Sequence, residues 1–436
     1  MPKRVSPTEK IRADIDELFA SEQDIADVLE ELMRKSVRLV LQEVLEDEVT
    51  TWLGRGWNGR GDRERDGQRN GYGDLTIKTT AGPVDLKRPK LRNTTEAFAS
   101  AVLGKGVVRT NPLEALVISA WVRGLSDRDC EALLAEALGP EAALSKSTAS
   151  RICGRLKTEF AEFQSRSLAD VEVDYLFLDG SFFKMHDGAT AEPVLVAYGI
   201  TTLGKPVLLA VEPGGDESYD AWKDFLDGLK ARGMRPPLLV VTDGAPGLLG
   251  AIDDAFRTSL RQRCLIHRSR NVLAKVPAVH REEVKTAFWS LFDDIDAEPG
   301  PRAVAIAQKR IDDFEKRYRK TFPSAVDCLL TDRAALTAYL RFPAEHWKRV
   351  RHTNLIERTF GETRRRMKVI GRMPGETSCL TLVWAVLDRA SGGWRGLIYT
   401  PAITRALTEL RHQLNHPTPA VADHDNVDAD VVTTAA

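Results

Sequence analysis

Three acidic residues have sequence contexts suited to holding a divalent cation beside a polyanion. Glu357 lies in a stretch from Lys348 to Arg372 that carries nine Lys or Arg residues and only one other acid. Asp179 and Asp243 each follow an apolar run and precede a glycine, which predicts a buried strand ending in a tight turn. Carboxylates brought close together repel one another unless a cation lies between them. Oxygen ligands of this kind suit Mg²⁺ or Mn²⁺, and three carboxylates could hold two such ions.

Each of these residues also has an ordinary structural interpretation. An Asp-Gly pair after a strand is often a plain turn, and a lone Glu in a basic helix is often an ion-pair partner. Two such aspartates together with a Glu in the most basic stretch form a narrower pattern, which favours a metal site for in-line attack at phosphorus. The basic side chains would then hold the DNA backbone. The predicted DNA contacts of this stretch are Arg358, Arg364, Arg365, Arg366 and Lys368.

A second basic segment, residues 255–275, contains six Arg or Lys residues and no acid. Cys264 and His267 lie within it, separated by two residues. A zinc site would need a second ligand pair nearby, and a cysteine nucleophile would need an oriented base, and neither is evident. The better functional interpretation places His267 and Arg270 beside the metal site, in contact with the scissile phosphate or flanking DNA, with Arg268 as a further DNA contact. The alternative is that Cys264 packs in a strand while the basic residues face solvent.

The composition limits the classes to which this chain can belong. It has 436 residues, of which 43% are hydrophobic and 29% charged, with a formal net charge of −1. These values are ordinary for a globular chain of two or three domains, and no apolar run is long enough for a membrane span. The N-terminus lacks a secretory signal and the five cysteines are dispersed. We therefore expect a reduced, cytoplasmic protein without disulfides.

The first part of the chain is predicted to be mainly helical. Residues 8–53 have helical spacing and offer either a partner or self-association face, or a solvated one. Residues 54–74 are rich in Gly and Arg, which indicates either a mobile linker or a flexible arm in which Arg69 contacts phosphate, and residues 75–92 predict a hairpin. Residues 111–165 predict a helix-turn-helix. Its third helix would present Lys146, Ser147 and Arg151 to a major groove.

The second part of the chain changes to a strand pattern. Apolar runs predict strands at 173–180, 194–202, 206–211 and 236–247, with an amphipathic helix at 216–232. Helical periodicity returns at 278–345, and a helix at 353–368 bears Glu357. The polar tail is expected to be disordered.

Taken together, these segments resemble the Mutator-type bacterial insertion-sequence transposases of the Asp-Asp-Glu class. The matching pieces occur in family order and are RNGY (69–72), LDGSF (178–182), VTDGAPGL (241–248), QRCLIHRSRN (262–271) and HTNLIERTFGETRRRMKVIGR (352–372). The resemblance implies an α/β ribonuclease H-like catalytic core with an all-helical insertion, preceded by mainly helical DNA-binding regions. It also implies that Asp179, Asp243 and Glu357 are catalytic and bind Mg²⁺ or Mn²⁺, with two ions expected. The signature residues that could support the active site are Cys264, His267, Arg270 and Asn271.

The resemblance and the patterns together give a domain prediction of seven parts. These are an N-terminal helical region (1–53), a Gly/Arg-rich arm and hairpin (54–110), a helix-turn-helix-like DNA-binding region (111–168), the first part of the catalytic domain (169–258), a helical insertion (259–345), the completion of the catalytic domain (346–416) and a disordered tail (417–436).

The expected activity is cleavage and strand transfer on double-stranded DNA, at terminal inverted repeats and a target site. Two DNA ends must be brought together, so a homodimer or larger homo-oligomer is expected, associated with the nucleoid of a bacterial cytoplasm. Two alternatives stay open at this point. One is a catalytically inactive DNA-binding regulator derived from a transposase, and the other is a metal-dependent nuclease without strand transfer.

Overall fold

The computed structural model divides into two compact units. One comprises Met1–Glu159 with Arg366–Gly371, and the other Phe160–Arg365 with Arg372–Ala436. Within them the structure describes residues 5–20, 25–56, 67–94, 96, 98–101, 103, 108–123, 125, 127–138, 144, 146–186, 190–370 and 375–416. The expected disordered tail and most of the Gly/Arg-rich stretch lie outside these residues. No helix in the described ranges is both long and apolar enough to cross a membrane.

The first unit combines helices with one hairpin. Its elements are α1 (Pro7–Phe19), α2 (Ile25–Leu53), β1 (Gln68–Thr79), β2 (Gly82–Arg92), α3 (Asn111–Val122), α4 (Asp127–Leu138) and α5 (Lys146–Ser165), the last of which continues into the second unit. The helical pattern over residues 8–53 is therefore carried by two helices. A capping box starts α1, because Ser6 Oγ accepts from Glu9 N while the Glu9 carboxylate accepts from Ser6 N.

The hairpin corrects the arm predicted over residues 54–74. Strand β1 starts at Gln68 and pairs with β2 as far as Thr79 opposite Gly82, so residues 68–74 are strand and not a flexible arm. The glycines are accommodated because the register shifts between Arg69 and Tyr72, where Gly71 has a φ of 75°. The hairpin itself is confirmed and is longer than predicted.

The three helices predicted over residues 111–165 are confirmed as α3, α4 and α5. They share an apolar core, since residues from all three helices and the connection before α5 bury their side chains against one another. That core contains Leu113, Val117, Ala120, Cys130, Leu134, Leu144, Ile152 and Cys153. Its role in DNA binding stays a prediction.

The second unit is built on a mixed five-stranded sheet. The strands are β3 (Val173–Phe183), β4 (Glu192–Thr201), β5 (Pro206–Pro213), β6 (Leu239–Thr242) and β7 (Leu260–Arg263), in the spatial order β5-β4-β3-β6-β7. The first three are antiparallel neighbours, whereas β6 pairs parallel with both β3 and β7. The prediction of an α/β unit is confirmed at this level.

Helices surround this sheet. They are α6 (Tyr219–Ala231), α7 (Pro246–Ala255), α8 (Leu265–Ala274), α9 (Arg281–Ser290), α10 (Pro301–Tyr318), α11 (Pro323–Leu330), α12 (Trp347–Val350), α13 (Asn354–Ile370), α14 (Glu376–Ser391) and α15 (Pro401–Asn415). Leu176 and Leu178 of β3 share a buried core with Trp222 of α6 and Ile252 of α7, so these helices cover one face. Alternate residues of β3 point to the other face, where α13 lies.

Strand β7 corrects the all-helical insertion predicted over residues 259–345. Residues 260–263 pair parallel with β6, from Leu239 opposite Leu260 to Thr242 opposite Arg263. The sequence LRQR is short and polar, so its strand character comes from the neighbouring strand and not from its own pattern. The rest of the range is helical, with short 3₁₀ turns between helices.

Candidate catalytic site

Asp179 does not lie at a strand end, contrary to the prediction. Strand β3 continues to Phe183 because its antiparallel pairing with β4 continues, with Asp179 opposite Val196. The parallel pairing with β6 stops earlier, at Phe177 opposite Val241. Asp179 therefore stands just beyond the point where β6 leaves β3, and it is 7% exposed.

Asp243 follows the last residue of β6, as predicted. Its Oδ1 accepts hydrogen bonds from Ala245 N at 3.0 Å and from Thr242 Oγ1 at 3.2 Å. Gly244 has a φ of 78°, which lets the chain turn sharply between β6 and α7. The side chain is half-buried and held at the same edge of the sheet as Asp179.

Glu357 lies in the first turn of α13 and is held from outside that helix. Its Oε1 forms an ion pair with Arg270 of α8. Its Oε2 is buried without a hydrogen-bond partner among the described residues. The simple intrahelical salt bridge is therefore not what the structure shows, and one oxygen of Glu357 has unused bonding capacity.

The pKa of Asp179 shows that the three carboxylates share one electrostatic neighbourhood. Burial raises the pKa of Asp179 to about 7. His267 opposes this rise, and the charges of Asp243 and Glu357 add to it. Residues far apart in sequence are thus close enough for their charges to interact.

Cys264 and Leu265 join the start of α8 to the start of α13, and His267 interacts with Cys264. The Cys264 sulfur accepts from Thr353 N at 3.4 Å and from Thr353 Oγ1 at 3.6 Å, and Leu265 N donates to Arg351 O at 2.9 Å. Hydrogen bonding with Cys264 raises the pKa of His267 to about 9. Burial opposes ionisation of the thiol, but contact with His267 lowers the pKa of Cys264 overall. Cys264 caps α8 and does not pack inside a strand.

Two of the predicted DNA contacts form hydrogen bonds within the protein. Arg268 is 3% exposed and donates to the Cys328 carbonyl oxygen, so its prediction as a DNA contact is wrong. Arg69 is half-buried and donates to Thr50 Oγ1 at 2.8 Å, which gives it a bond inside its own unit.

The other predicted basic residues are more accessible. Arg364 donates to Ser181 Oγ at 2.5 Å, and Arg365 pairs with Glu362. Arg366 is half-buried, and the side chain of Lys146 lies outside what the structure describes. The exposed members of the predicted set are Ser147, Arg151, Arg270, Asn271, Arg358, Arg364, Arg365 and Lys368.

A fourth carboxylate, Glu217, was missed by the sequence reasoning. A Cβ added to Gly180 would lie 2.8 Å from Glu217 Oε1, so this carboxylate sits directly over the residue after Asp179. Burial raises the pKa of Glu217, and the charge of Asp243 adds to the rise. The available signal was Gly180 itself, whose missing side chain leaves room for this approach.

The three predicted ligands are spread more widely than a single-ion cluster. Among the described residues, one group of three candidate ligands has its atoms within 4.8 Å of one another, namely His186, Glu192 and Glu376. The oxygens of Asp179, Asp243 and Glu357 form no such group. His186 Nδ1 lies 2.9 Å from Glu192 Oε1, which an ordinary ion pair explains.

The chain is thus an α/β protein. The carboxylates at the edge of its sheet and the charged residues of α13 lie beside β3. The family model "Transposase, Mutator family" matches residues 10–396, and the chain belongs to that family. The transposase of insertion sequence element ISRM5 from Rhizobium meliloti is 32% identical over 366 residues, which cover 83% of this chain and 88% of its own. The transposase of IS1081 from Mycobacterium tuberculosis is 30% identical over 402 residues, which cover 90% and 94%.

A solved structure is also similar, but only weakly. The Drosophila P element transposase strand transfer complex aligns with 70% of this chain and 88% of its own, with a TM-score of 0.26 and 10% identity. A likeness of that size has no bearing on the site.

Proposed function

We propose that this chain is the DNA transposase of an insertion sequence, with a ribonuclease H-like core in which Asp179, Asp243 and Glu357 support metal-dependent cleavage and strand transfer. The single observation that supports this most is the shared electrostatic neighbourhood of these carboxylates in a member of the Mutator family. Their separation along the chain makes a chance meeting at one sheet edge a poor explanation.

The residues at this edge fit divalent cations. The donor set is oxygen-only, and Glu357 Oε2 is a buried acceptor without a partner among the described residues. Crowding of like charges raises the pKa of Asp179, already raised by burial, and a cation would relieve that repulsion. Two ions about 3.5–4 Å apart need carboxylates that reach different ions. Asp179, Asp243 and Glu357 are spaced widely enough to do so. Bound ions would activate the attacking hydroxyl or water and stabilise the leaving oxygen.

The protein groups have distinct tasks in this proposal. Asp179, Asp243 and Glu357 would hold the ions, and Glu217, whose charge interacts with that of Asp243, would bind a metal-bound water beside Asp243. Arg270 must release Glu357 and would then be free to contact a phosphate oxygen. Cys264 accepts from Thr353 N and would in this way hold the start of α13 and orient Glu357.

DNA would approach the exposed basic side of α13. Arg358, Arg365 and Lys368 are exposed there and can contact phosphates over several turns of the helix. The proposed DNA-binding role of the three-helix region depends on the exposed Ser147 and Arg151 of α5.

Pairing two element ends calls for more than one copy of the chain. Leu29, Met33 and Val40 are exposed on one helix, α2, at 55%, 53% and 57%. Spacings of four and seven residues place them in one stripe, as a helix–helix contact requires. We propose a second copy of this chain as its partner.

The test is cleavage of a duplex that carries the inverted repeats of the encoding element, with Mg²⁺. Asp179→Asn, Asp243→Asn and Glu357→Gln should each abolish cleavage while duplex binding, followed by fluorescence anisotropy, is retained. Nicking near the wild-type rate by any one of them would remove that residue from the site. Joining of pre-cleaved ends by the wild type separates a transposase from a nuclease.

Arg358→Ala with Arg365→Ala should weaken duplex binding and make the logarithm of affinity fall less steeply with the logarithm of salt concentration, by about two phosphate contacts. The matched control is Arg257→Ala with Arg341→Ala, two exposed arginines outside α13. A salt slope equal to that of the control would show that α13 does not face the duplex.

A further inference from the structure

A cavity of about 270 Å³ opens between β3, β4 and the start of α13. Phe177 and Tyr198 form much of its wall. They are paired across the two strands, with ring centroids 5.1 Å apart. Ile200 and Ile356 add further apolar surface. The volume is several times the ~30 Å³ that a water molecule occupies in the liquid, so the cavity has room for a planar ring.

Two polar atoms that line this cavity, the hydroxyl of Tyr198 and Nδ1 of His352, lack a hydrogen-bond partner among the described residues. Tyr198 is 1% exposed, and its hydroxyl makes no hydrogen bond within the described residues. A buried hydroxyl without a partner is costly, and a ligand in the cavity would supply one. His352 lines the same space, and burial lowers its pKa, so its ring is neutral at pH 7 and offers both a donor and an acceptor.

Cations also line the cavity. Four basic residues line the cavity, namely Lys348, Arg349, Arg358 and Arg395. Across the described parts of the chain, no ion pair or side-chain hydrogen bond engages any of the four. A cavity lined by aromatic rings, two polar groups and unpaired cations matches an aromatic ring attached to phosphates.

The cavity borders the acidic edge of the sheet. Phe177 and Asp179 are two residues apart on β3 and so face the same side, about 7 Å apart along the strand. Ile356, which lines the cavity, directly precedes Glu357 on α13. A ligand in the cavity would therefore lie next to the reacting phosphate.

We propose that this cavity receives one nucleobase of the DNA strand, unstacked from the duplex beside the scissile phosphate. The proposal rests on the proposed transposase function. The aromatic wall would replace the lost stacking, Tyr198 and His352 would bond the edge of the base, and the four cations would hold the phosphates on either side.

The test uses the full chain and inverted-repeat duplexes in which single nucleotides near the cleavage position are replaced by 2-aminopurine. Ca²⁺ replaces Mg²⁺ so that the strand stays intact. Binding should raise the fluorescence severalfold at one position and leave its neighbours almost unchanged, because only one base leaves the stack. An abasic site at that position should bind roughly tenfold more tightly, because the unstacking cost that is removed exceeds the lost cavity contacts by about 1.4 kcal/mol.

Two variants and one control test whether the fluorescence change arises from a base in the cavity. Leu355→Trp should fill it and abolish the fluorescence change, whereas Val279→Trp, at a position 84% exposed and elsewhere in the unit, should not. Tyr198→Phe removes only the unpartnered hydroxyl and should preserve the fold while reducing discrimination between bases at that position severalfold.

The outcomes separate this proposal from the proposed function. If the wild type cleaves and joins ends but no position changes its fluorescence, the base site is overturned while the transposase stands. The base site is also overturned if the signal survives in a folded Leu355→Trp protein, or if no abasic position improves binding. If a base is unstacked into the cavity but no cleavage occurs, the base site stands and the catalytic assignment fails.

Discussion

Replacing Asp179 by Asn should stabilise the metal-free protein, and the gain should grow with pH. The pKa of Asp179 is about 7 in the folded protein, against an ordinary value of 3.8. Between these values the folded chain binds the proton that the unfolded chain has released, so the free energy of unfolding falls as pH rises from about 4 to about 7. Asn cannot ionise, so the free energy of unfolding of the variant does not fall with pH in this way.

The magnitude follows from the difference between the two values. A difference of about 3 pKa units corresponds to about 4 kcal/mol at pH 8, because each unit is 1.36 kcal/mol. At pH 5 only the interval above the unfolded pKa counts, which leaves about 2 kcal/mol. Relaxation of the site makes both figures upper limits. Urea unfolding of the two proteins in EDTA, at pH 5 and pH 8, measures the difference directly.

Asp174 of the same strand provides a control with the opposite sign. It is also buried, but it accepts from Arg411 at 2.7 Å and from Tyr399 at 2.8 Å. Asp174→Asn removes one charge of a buried pair and should cost about 3 kcal/mol at both pH values. Destabilisation of Asp179→Asn by a similar amount would mean that favourable contacts hold Asp179, and the crowding of carboxylates would be refuted.

Three other substitutions test separate assignments. Arg268→Ala should lower the free energy of unfolding by about 2 kcal/mol in urea, because a buried charged donor is lost, and the salt slope of DNA binding should not change. A changed slope would restore Arg268 as a DNA contact. Cys264→Ala leaves Thr353 N without its acceptor and should slow single-turnover cleavage more than it weakens binding by anisotropy. Equal losses would indicate general unfolding. Glu217→Gln should weaken Mn²⁺ binding severalfold by electron paramagnetic resonance, whereas Glu212→Gln, which removes another half-buried carboxylate, should not. Equal Mn²⁺ affinity in both would exclude Glu217 from the site.

Local patterns predicted the elements with strong periodicity. Helices α3 to α5 follow from helical spacing within a few residues of their observed bounds. The hairpin and the strand before Asp243 were also predicted, although β1 starts seven residues before the predicted hairpin and β6 is shorter than its predicted run. Local patterns did not predict strand β7 or the end of β3. LRQR has no strand pattern of its own, and the glycine after Asp179 suggested a turn although β4 continues to pair beyond it. Pairing between distant segments decided both cases.

The sequence itself could have shown that Arg268 is buried. Leu265, Arg268, Ser269 and Val272 are the buried residues of α8, and their spacing of three, four and seven is that of one helical face. Arg270 lies about 200° around the helix from Arg268, so the two could not both face DNA. A count of charges hides this distinction, whereas the apolar stripe reveals it. No comparable rule locates Glu217, because its approach to Gly180 depends on how α6 packs against the sheet.

The register of α13 along β3 links the proposed metal site, the cavity and the basic surface. Phe183 contacts Phe360 with ring centroids 5.9 Å apart, and Ser181 accepts from Arg364, so the strand and the helix are matched over about one turn. In this arrangement Glu357 can bind a cation at the acidic edge only if its ion pair with Arg270 breaks. A phosphate beside Arg270 and a cation beside Glu357 would replace one ion pair with two favourable contacts, which neither partner achieves alone. On this argument, DNA and metal should each bind more tightly when the other is present.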